Sequence, residues 1–558
     1  MKIIECVPNF SEGRDLSIIK QITDSMVSSG GITLLDVDHG ADTNRTVVTF
    51  VGEPDSVIEA AFLGIKKAAE IIDMRKHTGA HARMGATDVC PFVPISDVSM
   101  EDCVKYSKIL GDRVGKELNI PIFLYEYSAS KFDRKNLATV RFGEFEGMTQ
   151  KLNSPEWKPD FGFSKPHPTA GVTAIGARNF LIAYNVNLNT KDKKIASDIA
   201  FDIREQGRNQ RDTKGKFVRD ENGIPVKVPG KLKACKAVGW YIDEYGQAQV
   251  SINLTNFNKT PPHLTFEEVR EQARRRGARV SGSELVGLIP LDAMLTAGKY
   301  YLQKQKRSTG IPIEDIIHIA VKSMGLDDLS PFDPNEKIIE YRIRNLYGPL
   351  ASMTIHDFSN ELSSESPAPG GGSVSALAGV LGASLSSMVA NLTFGKNKWL
   401  PKYDQMCSIA ENSQKLKYNL LELIDADTEA FNVVMEAFQM QKKTDKQIEV
   451  RNMKIEDAMK EASKVPLESL KCCRMVLDLA LDAAKHGNPS SISDAGVAAE
   501  MASAGAHGAA LNVLINLNDI KDTRFCNKMK KETKVLIDET TKKLTKVRKT
   551  VSKIINHA

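Results

Sequence analysis

The sequence predicts two α/β subdomains that together form one functional half, followed by an all-α helical bundle. Three observations carry that reading. Up to about residue 350, short β-rich runs alternate with helical periodicities, the pattern of α/β layers. After residue 355 the β signals fade, and long helical periodicities rich in Ala, Leu, Met and Lys take over. A Pro/Gly/His-rich stretch at 155–176 separates two sets of strands in the first part. The expected domains are 1–178 and 179–342, a linker at 343–354, and a helical domain at 355–558.

The elements follow in order. Segments 32–38 and 45–51 are β-branched runs and read as strands. Segment 56–72 places Val57, Ala60, Ala61, Gly64, Ile65 and Ala68 at helical spacing. A second set of strands is expected at 179–187, 237–242 and 249–254. Segment 207–233 is polar and basic, with Asp220-Glu221-Asn222-Gly223 between two short apolar runs. It reads as an exposed hairpin insertion outside the chemistry. The most apolar stretch, 374–392, carries four serines and reads as a buried helix rather than a membrane span. The last helix, 531–555, sets Leu544, Val547, Val551 and Ile554 against a Lys-rich face, which reads as solvated.

Composition narrows the function classes. A chain of 558 residues exceeds one core, and 42% hydrophobic content is ordinary for a folded protein. Its 75 basic and 70 acidic residues leave +5, a mixed surface without a dense basic patch, which points to small anionic ligands rather than nucleic acid. Eight cysteines are scattered without a CxxC pair, so reduced thiols and no metal are expected. The first residues show no apolar signal region, and the expected location is cytoplasmic, away from membranes.

Two constellations carry chemistry. In the first, His77-Thr78-Gly79-Ala80-His81-Ala82-Arg83-Met84-Gly85 sets His81 on a sharply turning backbone, where acid/base residues often sit. The residues alone leave His81 open between proton transfer and a structural hydrogen bond. A metal role for His77 and His81 is poor, because the intervening Gly spoils a helix and no third ligand follows. Asp36 and Asp38, at i and i+2 near a strand's end, share one face and suit either a cleft or a turn.

In the second constellation, Pro369-Gly370-Gly371-Gly372-Ser373 opens a helix of small residues, and its N–H groups are a candidate anion cradle. A flexible loop before a packed helix is the plain alternative. Further on, an apolar stripe runs through Leu416, Leu420, Leu423, Ile424, Phe431, Val434 and Phe438, and Asp427 falls on it. A carboxylate on an apolar face needs a partner or a raised pKa, which makes Asp427 a functional candidate. Asp425 and Glu429 fall on the opposite side and read as solvated. Ser493-Asp494 reads as the cap of the next helix.

The motifs Glu5-Cys6-Val7-Pro8-Asn9-Phe10, Leu35-Asp36-Val37-Asp38, Thr43-Asn44-Arg45-Thr46, His81-Ala82-Arg83-Met84-Gly85-Ala86 and Asp88-Val89-Cys90-Pro91-Phe92 closely resemble glutamate formimidoyltransferase over residues 1 to about 340. The resemblance implies His81 as catalytic acid/base and Asp38 as its helper. It also implies folate contacts along Gly162-Phe163-Ser164-Lys165-Pro166-His167-Pro168-Thr169-Ala170-Gly171. The anionic groups of N-formimidoyl-L-glutamate and tetrahydrofolate need cations, for which Arg45, Arg83 and Arg178 are candidates.

Residues 355–520 resemble formimidoyltetrahydrofolate cyclodeaminase through Ala368-Pro369-Gly370-Gly371-Gly372-Ser373, Asp425-Ala426-Asp427, Gly487-Asn488 and Asn512-Val513-Leu514-Ile515-Asn516. The family's catalytic aspartate aligns with Asp427. The glycine turn becomes a supporting ligand-binding element. Together the resemblances imply a bifunctional enzyme that uses tetrahydrofolate as one-carbon acceptor and forms homo-oligomers, with dimers through the helical domain. A helical half acting as a related cyclohydrolase, or only as an oligomerisation scaffold, is the alternative.

Overall fold

The computed structural model describes residues 2–41, 44–79, 82–243, 245–343, 348–394 and 401–556. It divides into two compact units, Met1–Ala293 with Gly325–Arg344, and Met294–Met324 with Asn345–Ala558. The first is α/β and the second helical, the fold class expected.

In the first unit, β1 (Ile3–Cys6), β2 (Asn9–Phe10), β3 (Ile32–Gly40), β4 (Arg45–Gly52), β5 (Thr87–Ser96), β6 (Ile122–Glu126) and β7 (Thr173–Ala177) form one sheet. β1 and β2 both lie between β4 and β5 and act as one interrupted strand. The break falls at Pro8, which has no N–H for the ladder; its carbonyl still accepts from Val48 N at 3.0 Å. β5, β7 and β6 run parallel, while β1, β2, β3 and β4 pair antiparallel.

Helices α1 (Leu16–Val27), α2 (Pro54–Ile71) and α3 (Met100–Glu117) supply the apolar partners of this sheet. Pro54 and Asp55 open α2, and a Ser99–Asp102 capping box opens α3. Ile4, Cys6, Phe10, Val48 and Phe50 share a core with Ile22, Met26, Ile65 and Leu110. Each large apolar side chain buried there contributes about 1.5–3 kcal/mol. Strand alternation leaves Glu5, Asn9, Asp36, Asp38 and Arg45 on the opposite face.

The second subdomain holds β8 (Ile182–Leu188), the small hairpin strands β9 (Arg208–Asn209) and β10 (Lys227–Val228), β11 (Cys235–Ile242), β12 (Gln247–Leu254) and β13 (Val280–Val286). β11, β12, β8 and β13 form an antiparallel sheet in that order, packed by α4 (Lys193–Ile203) and α5 (Pro262–Arg275). The insertion is a hairpin, as its turn residues suggest. Asp220 accepts from the N–H of Asn222 and Ile224 at 2.9 and 2.8 Å, and Gly223 takes the left-handed turn.

The helical unit contains the pair α6 (Leu291–Lys304, joining from Met294) and α7 (Ile313–Met324), then α8 (Gly371–Asn391), α9 (Tyr403–Gln439), α10 (Asp445–His486), α11 (Ile492–Asn516) and α12 (Thr523–Ile555). Small residues let α8 sit close to three neighbours. A Cβ at Gly379 would meet Cys473 Sγ at 2.6 Å, and one at Gly382 would meet Ala498 O at 2.8 Å. Among the described residues α8 is the one helix long and apolar enough to cross a membrane. Its most apolar window is 61% buried inside the unit, as a core helix would be.

Two expectations are corrected here. Ser493 and Asp494 lie inside the first turn of α11 rather than at its cap, because the chain enters through a 3₁₀ turn at Pro489–Ser491. Asn488 caps that turn, accepting from Ser490 N at 3.2 Å. Phe438, the last member of the α9 stripe, is 43% exposed.

Candidate active sites

The polar face of the seven-stranded sheet and the start of the second subdomain enclose a cavity of about 780 Å³. Glu5, Asn9, Asp36, Asp38 and Arg45 line it from the sheet, and Arg178, Leu181, Ala183 and Asn253 from beyond β7. A neighbouring cavity of about 560 Å³ shares Asn9, Arg45, Arg178 and Leu181 and adds Arg141, Lys236 and Lys259. Three expected residues, Asp38, Arg45 and Arg178, therefore meet in one cleft. Burial pulls the Arg45 guanidinium below its usual range and Arg141 adds to this, while Asp88 and Asp38 oppose it. The larger cavity sets Arg45 and Arg178 among Glu5, Asp36 and Asp38, whereas the neighbouring one sets Arg45, Arg141, Arg178, Lys236 and Lys259 against Glu126 and Glu205 and offers its surplus of cations to a small carboxylate-bearing ligand.

His81 lies outside the described residues, but its flanks are firmly held. His77 Nε2–H donates to Asn44 O at 2.9 Å, and its Nδ1 accepts from Arg83 Nε at 3.3 Å. Asn44 Nδ2 donates to Thr78 O at 2.9 Å. Arg83 does not line either cavity. Its guanidinium donates to Glu144 at 2.8 Å and Glu146 at 2.7 Å, and these carboxylates, Glu146 foremost, raise its pKa. In this arrangement Arg83 ties the turn to the 144–146 segment.

The 162–171 stretch is also a built turn. His167 and Gly171 exchange backbone hydrogen bonds at 2.9 and 3.0 Å, and Ala170 N donates to His167 Nδ1 at 3.0 Å. Burial lowers the His167 pKa. Gly171 is left-handed (φ +69°), and a Cβ there would lie 2.3 Å from Met84 O. Thr169 O accepts from Met74 N and Ala170 O from Ala86 N, both at 2.9 Å. The 167–171 stretch thus meets Met74, Met84 and Ala86, on either side of His81 in sequence. Phe163 stands 66% exposed at this rim.

In the helical unit, the group that meets the first turn of α8 is the Asp427 carboxyl. Its Oδ2 accepts from Ser373 N at 3.1 Å, while Ser373 Oγ donates to Ile424 O at 2.8 Å and locks the turn onto α9. Gly372 leaves the room for this, since a Cβ there would lie 2.1 Å from Asp427 Oδ1. Burial raises the Asp427 pKa, and the hydrogen bonds from Ser373 oppose the rise.

Asp425 corrects an expectation, because it is buried rather than solvated. It accepts from Leu350 N at 2.8 Å and Ala351 N at 3.0 Å, and Gly348 gives it room. A segment distant in sequence covers the side of α9 that the stripe leaves polar. Glu429 is exposed, as expected. Asn512 of α11, which the sequence reading did not place in a site, closes beside the glycine turn. Its Nδ2 lies 3.3 Å from where a Cβ of Gly371 would be, and it donates to Gly508 O at 2.9 Å. Glu5 was also missed, though alternation with the core residues Ile4 and Cys6 is a signal that assigns it to the cleft. Among the described residues no three His, Cys, Asp or Glu side chains are grouped to hold a metal ion.

Comparison with known proteins covers nearly the whole chain. Residues 3–178 match the model of the formiminotransferase domain, N-terminal subdomain, residues 183–344 that of the formiminotransferase domain, and residues 354–535 that of formiminotransferase-cyclodeaminase. A formimidoyltransferase-cyclodeaminase of Dictyostelium discoideum is 43% identical over 551 residues, 98% of each chain. A glutamate formimidoyltransferase of Streptococcus pyogenes serotype M1 is 48% identical over 302 residues, covering 54% of this chain and 94% of the relative. A methenyltetrahydrofolate cyclohydrolase of Methylorubrum extorquens is 40% identical over 203 residues, covering 36% of this chain and 98% of the relative.

Proposed function

The chain belongs to the formimidoyltransferase-cyclodeaminase family, and from that premise we propose how its two halves divide the work. It is a bifunctional folate enzyme of histidine degradation. Residues 1–342 move the formimino group from N-formimidoyl-L-glutamate to tetrahydrofolate, giving 5-formimidoyltetrahydrofolate and L-glutamate. Residues 355–558 then close that group onto N10 and expel ammonia, giving 5,10-methenyltetrahydrofolate. Residues 343–354 link the halves.

In the transfer step, Arg178 and Arg45 hold the glutamate carboxylates in the cleft, and the 162–171 turn holds the folate. His81, assisted by Asp38, takes the proton from the attacking N5 amine. It returns a proton to the departing glutamate nitrogen as the tetrahedral intermediate collapses. Arg83 acts by tethering the histidine turn through Glu144 and Glu146.

In the cyclisation, N10 attacks the formimino carbon, Asp427 takes the N10 proton, and a proton delivered to the exocyclic nitrogen lets it leave as ammonia. The observation that carries this reading is the partly buried Asp427 carboxyl that accepts from Ser373 N in the first turn of α8, with its pKa raised. The turn at Gly370, Gly371, Gly372 and Ser373 then serves folate by fixing that carboxyl. The scheme places the enzyme in the cytoplasm as a homo-oligomer that dimerises through its helical half. Leu511 and Ile515 of α11, 69% and 61% exposed, offer an apolar surface for that contact.

The test follows ammonia release and methenyl absorbance with formimidoylglutamate and tetrahydrofolate. His81→Ala should stop transfer yet still cyclise supplied 5-formimidoyltetrahydrofolate, and Asp427→Asn should do the reverse. Full overall turnover by either variant sinks the role assigned to that residue. The cyclohydrolase relative favours a second reading of residues 355–558, water addition to methenyltetrahydrofolate. The nearly full-length bifunctional relative weighs against it. Hydrolysis of methenyltetrahydrofolate without ammonia release from the formimino compound would select that second reading.

A further inference from the structure

The transferase cleft holds one more ionisable side chain than the scheme above employs. Glu5 lies on β1 between Val51 of β4 and Val93 of β5, and its neighbours Ile4 and Cys6 belong to the helix-covered core. Alternation turns its carboxyl into the cleft, where it is 3% exposed and lines the same cavity as Arg178. Among the described residues neither Glu5 nor Arg178 has an ion-pair partner. Arg178 Nη1 donates to Asn179 O at 3.1 Å, which leaves the rest of its guanidinium for the cleft. The other charged groups on this cavity are Asp36 and Asp38 of β3 and Arg45 of β4. On the neighbouring cavity Arg178 also meets Glu126 of β6, whose carboxyl pKa burial raises and Arg178 lowers, with Glu205, Arg141, Lys236 and Lys259 further along the lining. Behind the strand, on the core side, the Cys6 and Cys90 thiols touch at 3.5 Å.

Arg178 stays charged at every working pH, so its availability to a ligand depends on which anion is near it. An ionised Glu5 shares that cation's field. A ligand carboxylate arriving there would face a like charge on a side chain that is itself buried, which costs more than it would in solvent. A neutral Glu5 removes the competition and offers an O–H donor instead. Taking the assignment of Arg178 to a glutamate carboxylate as its basis, we infer that Glu5 is a proton-dependent competitor for Arg178. Protonated, it leaves the guanidinium to the amino-acid substrate; ionised, it draws the guanidinium back. It is a positioning residue for the transfer and makes no covalent contact with the reacting atoms.

Burial pushes the Glu5 carboxyl up to about 7, with Arg178 opposing, which sets the exchange in the working range. Binding of glutamate above that pH should then take up a proton. Its affinity should be flat at low pH and fall by about tenfold between pH 6 and 8, the one-proton linkage for a group at about 7.

The experiment is calorimetric titration of the full chain with L-glutamate at pH 6, 7 and 8, in two buffers of different ionisation enthalpy. The wild-type chain should lose about tenfold in affinity over that range and take up close to one proton at pH 8. Glu5→Gln should bind with pH-independent affinity and no uptake. A flat wild-type profile without uptake overturns the inference. So does an unchanged pH dependence in Glu5→Gln, which would assign the proton to another group such as His81. The wild-type uptake needs no variant, so a poorly folding Glu5→Gln does not blunt the test. Formimino transfer is assayed alongside. If transfer proceeds while glutamate binding is pH-independent, this inference alone falls; if transfer is absent, the transferase reading falls and takes it along.

Discussion

Gly372 and Asp427 share a space that admits only a hydrogen at position 372, because a Cβ there would lie 2.1 Å from Asp427 Oδ1. The carboxyl therefore reaches Ser373 N at 3.1 Å through a gap that the glycine leaves in the first turn of α8. An aspartate on an apolar stripe is held in place through this contact.

Gly372→Ala should move that carboxyl by about an ångström. A displacement of this size costs about 10²-fold in a positioned reaction. Cyclisation of supplied 5-formimidoyltetrahydrofolate, followed by methenyl absorbance, should fall by that order while formimino transfer is unchanged. Cyclisation at the wild-type rate would show that the contact has no part in catalysis.

Gly171→Ala should act on the other activity. Its left-handed backbone and the 2.3 Å approach to Met84 O leave a methyl no room, so the turn beside His77–Gly85 must shift. Transfer should drop by about 10- to 100-fold, with cyclisation retained. Steady-state kinetics on the two half-reactions separate these effects.

Asp425→Ala should be a stability variant. It would leave the buried Leu350 amide and the partly buried Ala351 amide without their acceptor, at about 1–3 kcal/mol for the first and less for the second. Thermal unfolding should show the helical unit melting earlier, whereas the transfer rate at low temperature stays at the wild-type value. An unshifted melting transition would remove Asp425 from the structural role.

Glu5 makes stability depend on pH with a defined sign. Its folded pKa is raised from 4.5 to about 7, so the folded state holds the proton over a range where the unfolded chain has released it. The stability this contributes is full below about pH 4.5 and is lost as pH rises to about 7. At about 1.4 kcal/mol per pH unit, the ceiling is about 3 kcal/mol. Denaturant titrations should find Glu5→Gln equal to wild type near pH 4 and more stable by up to that amount at pH 8. A constant difference at every pH would contradict the raised value.

Much of this protein is legible from one dimension. Strand and helix periods, the turn chemistry of Asp220–Gly223 and the change of pattern near residue 350 are local properties of the chain. So the fold class and most element positions follow from them without knowledge of contacts. The helical period likewise placed Asp427 on the apolar side of α9, and the motif resemblances identified the family. Partners are another matter. Asp425 and Asp427 lie two residues apart, yet the 348–351 segment buries one and the α8 turn holds the other, from 74 or 75 and from 54 residues away. Glu5 shares a cavity with Arg178 only because β1 and the segment after β7 line the same cleft. The sequence alone determined which side chains could carry a charge in the interior. Tertiary structure decided which of them met a partner, because burial and hydrogen bonding are set by segments that no local period connects.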